Sequence, residues 1–163
     1  MEYYDDFYDG LKDTRNMLYR QIDTVAILNK LSSTLCSEIH NLKNYNLNVI
    51  GDSNYIIKDF TEKVITILEK YDNKIKTLIK IKNGFPILQL GDIETISLIK
   101  TLPSMDYKGA TISVNMNKEF KIINNLIEEA ISSALKENDY QTITILSKMQ
   151  YKLSSAILDI PQI

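Results

Sequence analysis

The sequence predicts an all-α protein built on four long helices. The 163 residues are 44% hydrophobic, which is enough for a packed core in a single domain. Glycine and proline occur only five and three times, and residues 11–50, 52–83 and 110–160 contain neither. Long stretches without these two residues favour long helices over many short strands.

The first helix is predicted from about Asp13 to about Leu47. Its apolar residues recur at steps of three, four or seven, which places them on one face of a helix. They are Leu18, Ile22, Val25, Leu28, Leu35, Ile39 and Leu42. The run at 51–53, Gly-Asp-Ser, is expected to end this segment of the chain.

The second helix is predicted over about 54–82, with Asp52 or Ser53 as its N-cap. Residues 83–86, Asn-Gly-Phe-Pro, end it, and Gly84 is suited to the left-handed exit conformation. The apolar stripe of this helix is Ile57, Phe60, Val64, Ile67, Leu68, Tyr71, Ile75 and Leu78.

A long connection over 83–111 follows, and its segment 92–101 is predicted to form a short amphipathic helix. The third long helix starts after Ser113, and a break at 138–139 separates it from the fourth, which runs to Pro161. The core faces are Met116, Phe120, Ile123, Ile127, Ala130 and Ala134 in the third helix, and Ile143, Leu146, Met149, Leu153 and Ile157 in the fourth.

Two antiparallel hairpins joined by one long crossover are the ferritin-like variant of the four-helix bundle. The predicted fold class is therefore a ferritin-like four-helix bundle with a short extra helix in the crossover between helices two and three. Residues 15–160 form the bundle domain in this interpretation. Residues 1–14 form an acidic, aromatic N-terminal tail.

Charge and composition exclude several classes of protein. The net charge of −2 gives no bulk attraction to nucleic acid or to an anionic membrane. The single cysteine, Cys36, excludes a disulfide framework within the chain. The acidic start differs from a signal peptide, and no stretch approaches the roughly 18 apolar residues that a membrane helix needs. We expect a cytoplasmic protein without a membrane partner.

Two sequence motifs carry a resemblance to a known family. Residues 44–51, Asn-Tyr-Asn-Leu-Asn-Val-Ile-Gly, resemble the Asn-Tyr-His-Trp-Asn-Val-x-Gly run at the end of the first helix in Dps-type miniferritins. Residues 81–86 resemble the Gly-Gly-x-Pro exit from the second helix of that family, and residues 136–142 resemble its turn before the last helix. The resemblance implies a homo-oligomer, a hollow shell of twelve subunits. The family oxidises ferrous iron at sites shared between two subunits and stores it inside, and some members coat DNA.

The resemblance also assigns five positions of this chain to iron ligands. In chain order they are Asn46, Lys58, Glu62, Asn73 and Thr77. The family has histidines at the first two and acids at the other three, so Glu62 alone keeps its ligand type. Asp72 lies next to one lost acid, but it is turned about 100° around the helix. We therefore expect Glu62 to be a remnant metal ligand, no catalytic residues and no cofactor at this position.

Lys58 and Glu62 are four residues apart on one helix face, which predicts an ordinary ion pair. A second interpretation is that the lysine ammonium replaces the metal as the counter-charge of Glu62. The resemblance also implies that this chain has lost most of the acids that line the iron-entry pores of the family. The corresponding positions are Leu135, Asp139, Tyr140 and Thr144, and Asp139 is more simply a helix cap.

The leading hypothesis is thus a Dps-like shell subunit with a structural, binding or sequestration role and without fast iron oxidation. One alternative is an iron-storage protein with iron at a relocated site. Its ligands would be Asp59, Glu62, Glu69 and Asp72, contributed across an interface. Another alternative is a helical interaction protein that forms no cage.

Two further groups of residues have the composition of possible binding sites. Cys36 and His40 have the i,i+4 spacing of a chelate, but a partly buried structural pair is the expectation, and Glu38 points elsewhere. The lysines of residues 70–82 are expected to form a solvated face that suits the helix C-terminus. DNA binding is disfavoured, because the acidic tail should repel phosphate and its aromatic residues more plausibly pin it to the shell.

Overall fold

Four long helices and one short helix make up the fold of the computed structural model. It describes residues 24–163 with their side chains and, within the first helix, the backbone alone of residues 2–23. The helices are α1 (Glu2–Asn48), α2 (Asn54–Ile81), α3 (Leu90–Ile96), α4 (Gly109–Lys136) and α5 (Tyr140–Leu158). The side chains of the predicted acidic tail, 1–14, lie outside the described residues. Over the residues described, no helix is both long and apolar enough to cross a bilayer.

The helices pack as two hairpins around a shared apolar core. Helix α1 packs along α2 and α4, and α5 packs along α4 and α2. The predicted apolar faces of α2 and α4 are buried, with Ile67 half-buried. In α5 the middle of the predicted face is buried, whereas Ile143 and Ile157 at its two ends are half-buried. Burial of each large aliphatic side chain contributes about 1.5–3 kcal/mol, so this core stabilises the all-α fold.

The exit from α2 differs from the prediction in its key residue. Asn83, not Gly84, adopts the left-handed conformation, with φ 61°. Gly84 is needed for space, because a Cβ atom there would lie 2.8 Å from Val25 Cγ1 and 3.0 Å from Ile79 Cγ2. At the start of α2 the N-cap residue is Ser53, as one of the two predicted candidates, but its side chain makes no capping hydrogen bond.

The crossover helix α3 covers Leu90–Ile96, which corrects the predicted span of 92–101. The backbone beyond it is bonded to α1 side chains instead. The Thr34 hydroxyl accepts from Leu98 N at 3.1 Å. Asn41 donates to Lys100 O and accepts from Leu102 N, both at 2.9 Å. These partners satisfy part-buried backbone groups without a helix, so the chain is not helical over this segment.

A two-residue parallel strand pair closes one end of the bundle. Strand β1 (Val49–Ile50) follows α1 directly, and β2 (Tyr107–Lys108) leads into α4. Helix α4 begins at Gly109, four residues before the predicted position at Ser113. This strand pair, which the sequence does not predict, joins the end of the crossover to the end of α1.

Candidate functional site

The first of the five candidate ligand positions, Asn46, is engaged in protein hydrogen bonds. Its Nδ2 donates to Lys58 O at 3.1 Å and to Thr61 Oγ1 at 3.0 Å. Thr61 Oγ1 in turn donates to Ile57 O at 2.8 Å. Asn46 therefore fastens the end of α1 to the first turns of α2, and its amide nitrogen cannot serve as a metal ligand.

Lys58 and Glu62 are both exposed on α2, and the ion pair predicted between them is absent among the described residues. Asp59 and Lys63 form the i,i+4 pair at this level instead, with Lys63 Nζ 2.7 Å from Asp59 Oδ2. The chain direction gives a physical reason, because an acid that precedes the lysine by four residues is the favoured arrangement on a helix. Asp59–Lys63 has this order and Lys58–Glu62 has the reverse.

The two remaining candidate positions, Asn73 and Thr77, lie exposed farther along α2. Thr77 Oγ1 donates to the backbone oxygen of Asn73 at 3.0 Å, which is a local helix bond. Neither side chain supplies a carboxylate, the ligand type that hard or borderline iron favours. Within residues 24–163 no group of three His, Cys, Asp or Glu side chains is placed to hold a metal ion.

Asp72 faces α1 and is buried, which agrees with its predicted rotation away from Asn73. Its Oδ1 accepts from Ser32 Oγ at 2.6 Å, and its Oδ2 lies 2.6 Å from Lys76 Nζ. The Cys36 thiol is a third, weaker donor, with Sγ 3.7 Å from Oδ2. Burial, followed by the Asp72 charge, raises the pKa of Cys36, so its thiol stays protonated at neutral pH.

His40 is exposed, which corrects the expectation of a partly buried pair with Cys36. Both residues line a cavity of about 390 Å³ between α1, α2 and α3, whose apolar wall includes Leu90 and Ile93. Three of the charged groups at this cavity are already paired, since Lys43 Nζ lies 3.3 Å from Glu69 Oε1 and Asp72 is bound by Lys76, whereas Glu94 is in no described ion pair. Among the described residues, no third metal-binding side chain is placed to join Cys36 and His40.

The predicted cap at the start of α5 is confirmed. Asp139 is the N-cap, and its Oδ1 accepts from Thr142 N at 3.2 Å. Lys82 at the end of α2 forms ion pairs with Asp139 and Glu137. Of the lysines in residues 70–82, Lys76 and Lys82 are thus neutralised within the chain, while Lys70, Lys74 and Lys80 are exposed.

A pair of carboxyl groups that the sequence does not predict lies inside the bundle, Glu38 on α1 and Glu119 on α4. Glu38 is fully buried, and the Glu119 carboxyl group is near enough for its charge to raise the pKa of Glu38. Tyr45 OH donates to Glu119 Oε1 at 3.1 Å, and Asn115 Nδ2 donates to Tyr45 OH at 3.2 Å. The signal in the sequence is the seven-residue step from Leu31 to Glu38 to Tyr45, which places Glu38 between two large side chains on a second face of α1.

Burial raises the pKa of both carboxyl groups. For Glu38, burial and then the Glu119 charge raise the pKa well above its ordinary value. For Glu119, burial raises the pKa, and the neighbouring Glu38 carboxyl group and the hydrogen bond from Tyr45 partly oppose that rise. Burial, and then the Glu119 charge, also raises the pKa of the Tyr45 phenol. Burial therefore disfavours the charged form of each of the three groups.

Comparison with known proteins bears on the fold. No protein-family model matches the sequence, and no curated protein matches it. Among solved structures, Dps from Staphylococcus aureus superposes with a TM-score of 0.80 at 20% identity, covering 85% of this chain and 92% of that chain. The DPS protein from Vibrio cholerae O1, described as a member of a broad superfamily of ferritin-like diiron-carboxylate proteins, gives 0.82 at 15% identity, with 87% and 89% covered.

A Dps homologue from the archaeon Halobacterium salinarum gives a TM-score of 0.81 at 18% identity, covering 86% of this chain and 78% of that chain. The chain has the Dps-type miniferritin fold. The Dps resemblance read from residues 44–86 and the predicted all-α ferritin-like fold class are both confirmed at this level. In this Dps fold the crossover carries the short helix α3, as the resemblance implies.

Proposed function

We propose that the chain is a subunit of a Dps-like shell whose usual inter-subunit iron site is inactive, so that its role is structural, binding or sequestration. The main support is the hydrogen bond from Asn46 to the Lys58 carbonyl oxygen, because it commits one former histidine position to holding α1 and α2 together. Lys58 adds a cation beside Glu62 on the same exposed face. A single carboxylate cannot bind two irons tightly.

The lysine partners of the other acids argue against the relocated iron site. Of its four candidate ligands, three face a lysine within the chain: Asp59 pairs with Lys63, Glu69 with Lys43 and Asp72 with Lys76. An iron ion would have to displace an ammonium at each of these positions. We therefore prefer the inactive shell. Anaerobic iron loading followed by metal analysis distinguishes the two, because a storage protein would retain many irons per shell.

The proposed shell requires the chain to assemble with other copies of itself. Large apolar side chains remain exposed along the crossover, and exposed apolar groups in number mark protein interfaces. They are Phe85, Leu88, Leu90, Leu98 and Met105. A shell of twelve chains of 18.8 kDa has a mass of about 226 kDa, which light scattering separates from a monomer or a dimer. A monomer would support the alternative of a helical interaction protein that forms no cage.

Aerobic oxidation of ferrous iron tests the inactive site directly. We expect the wild-type protein to oxidise iron at the uncatalysed rate. The matched positive control restores the family's ligands with Asn46→His, Lys58→His, Asn73→Asp and Thr77→Glu while Glu62 stays in place. This variant should oxidise iron faster, and adding Glu62→Ala should remove the gain.

Two outcomes would contradict the proposal. Fast oxidation by the wild type that Glu62→Ala abolishes would mean that the usual site works. A restored variant that folds and assembles but stays at the background rate would mean that these five positions do not form an iron site in this chain.

A further inference from the structure

The seam between α1 and α4 follows a repeat of seven residues on both helices. Near the C-terminal end of α4, Ser133 Oγ lies 2.6 Å from Thr24 Oγ1 of α1, and both residues are buried. Steps of seven along two antiparallel helices keep successive side chains on the same seam. On α1 these steps reach Leu31, Glu38 and Tyr45, and on α4 they reach Leu126, Glu119 and Ile112. The two glutamates are therefore opposed by the register of the helices.

Three carboxyl oxygens at this level have no described donor. They are Oε1 and Oε2 of Glu38 and Oε2 of Glu119. The fourth, Glu119 Oε1, accepts from Tyr45 OH at 3.1 Å. The hydrogen bond from Tyr45 favours the ionised form of Glu119 over that of Glu38. An ionised Glu119 can only accept hydrogen bonds, so an ionised Glu38 could form none with it.

The charged groups around the pair provide no counter-ion among the described residues. The faces of α2 and α5 that pack into the core are apolar apart from Thr61, Asp72 and Thr142, and Asp72 is held by Lys76 toward Cys36. On α4 the nearest cations in sequence, Lys118 and Lys121, are exposed. No described ion pair includes Glu38 or Glu119. Two adjacent negative charges without a cation are strongly unfavourable in a dry interior.

We propose that Glu38 and Glu119 share one proton at neutral pH, with Glu38 as a neutral acid that donates to Glu119 Oε2, and that this bond is a pH-sensitive latch between α1 and α4. The proton removes the repulsion and gives Glu119 Oε2 the donor it lacks. Asn115 and Tyr45 orient the pair from the other side, through Asn115 Nδ2 to Tyr45 OH to Glu119. Loss of the proton leaves two carboxylates facing each other across the seam.

The sign of the pH effect follows from proton linkage. The folded chain holds a proton that an unfolded glutamate, with an ordinary pKa of 4.5, releases. Stability from the latch is therefore complete below that value and falls as the pH rises toward the raised pKa of the folded pair. One retained proton changes the folding equilibrium constant by about tenfold per pH unit across this window.

The experiment follows unfolding of the full chain between pH 5 and pH 9 for the wild type, Glu38→Gln, Glu119→Gln and the exposed control Glu129→Gln. The amide of Glu38→Gln donates to Glu119 at every pH, so this variant should lose the pH slope that the wild type and Glu129→Gln show. Infrared spectroscopy of the folded wild type at pH 7 should show the C=O band of a protonated carboxylic acid. That band needs no variant, so the proposal stays testable if a substitution prevents folding.

Three results would overturn the latch. The first is the absence of a protonated carboxyl band in the wild type at pH 7. The second is an equal pH slope in the wild type and in folded Glu38→Gln. The third is a wild-type unfolding midpoint that drops with EDTA and recovers with Mn²⁺ or Zn²⁺ while Glu38→Gln is unaffected, because a metal ion would then hold the pair.

Discussion

Asn46 and Lys58, the two positions that the Dps resemblance assigns to histidine ligands, are joined by a hydrogen bond of 3.1 Å from Asn46 Nδ2 to the Lys58 carbonyl oxygen. A second bond of 3.0 Å reaches Thr61 Oγ1. The Asn46 side chain therefore joins the end of α1 to the start of α2, so its role in this chain is structural. The same geometry explains why restoring histidine at residue 46 carries a stability cost that the activity assay must control for.

Asn46→Ala should lower the free energy of unfolding by about 1–2 kcal/mol, because two hydrogen bonds across the α1–α2 junction are lost. Urea denaturation at pH 7 measures this change. Asn73→Ala is the matched control, because Asn73 is exposed and its contact with Thr77 uses the backbone oxygen. Its effect should stay within about 0.5 kcal/mol. Equal effects of the two substitutions would mean that the Asn46 bridge contributes nothing to stability.

Gly84 and Gly91 provide a second matched pair. Gly84→Ala places a Cβ 2.8 Å from Val25 Cγ1, so it should destabilise the fold by about 1–3 kcal/mol through overpacking. A Cβ at Gly91, within α3, meets no atom within 4 Å. Gly91→Ala should therefore be neutral or stabilise by up to about 1 kcal/mol, because alanine favours the helix. Thermal unfolding of both variants measures these changes in stability. A Gly84→Ala variant as stable as the wild type would contradict the steric explanation.

The sequence could predict the helices and most of the core because those depend on local periodicity. The stripes from Ile57 to Leu78 and from Met116 to Ala134 have the 3.6-residue repeat of a helix with one buried face. Helix α1 is buried on more than one face, so its single predicted stripe omitted Leu31. The end of α3 depends on Asn41, which lies far away in sequence and bonds the backbone that follows.

The polar pairs were harder to predict, because a charged side chain usually has more than one possible partner nearby. Two i,i+4 pairs are possible at residues 58–63, and the structure forms the one with the acid first, Asp59–Lys63. Glu38 and Glu119 are 81 positions apart in the chain. They face each other only because of the register in which α1 packs against α4. No local pattern in the sequence contains that register. The buried pair therefore became visible only when the helices were packed.

Lys76 and Lys63 form ion pairs of the same spacing in different surroundings. Lys76 pairs with buried Asp72, and Lys63 pairs with exposed Asp59. Lys76→Met should cost about 3 kcal/mol, because it leaves the Asp72 carboxylate buried without its cation. Lys63→Met should leave the urea midpoint unchanged within error, because water already solvates Asp59. If the two midpoints shift equally, burial does not distinguish these pairs.

Asp139 links the end of α2 to the start of α5, and its charge makes that link dependent on pH. Burial acts to raise the pKa of Asp139, but the hydrogen bonds from Lys82 and Thr142 outweigh it and leave the pKa below its ordinary value of 3.8. The stability from this carboxylate is therefore present above about pH 4 and is lost as the pH falls through the lowered pKa.

Asp139→Asn keeps an N-cap acceptor but removes the charge that pairs with Lys82. It should cost about 1–2 kcal/mol at pH 7, and its difference from the wild type should shrink below pH 4, where the wild-type carboxylate is itself protonated. Urea denaturation at pH 7 and pH 3 measures both values. Asp106→Asn, at an exposed position, is the control and should show neither effect. A difference that persists undiminished at pH 3 would show that the amide disturbs the cap and that the Lys82 charge pair is not its cause.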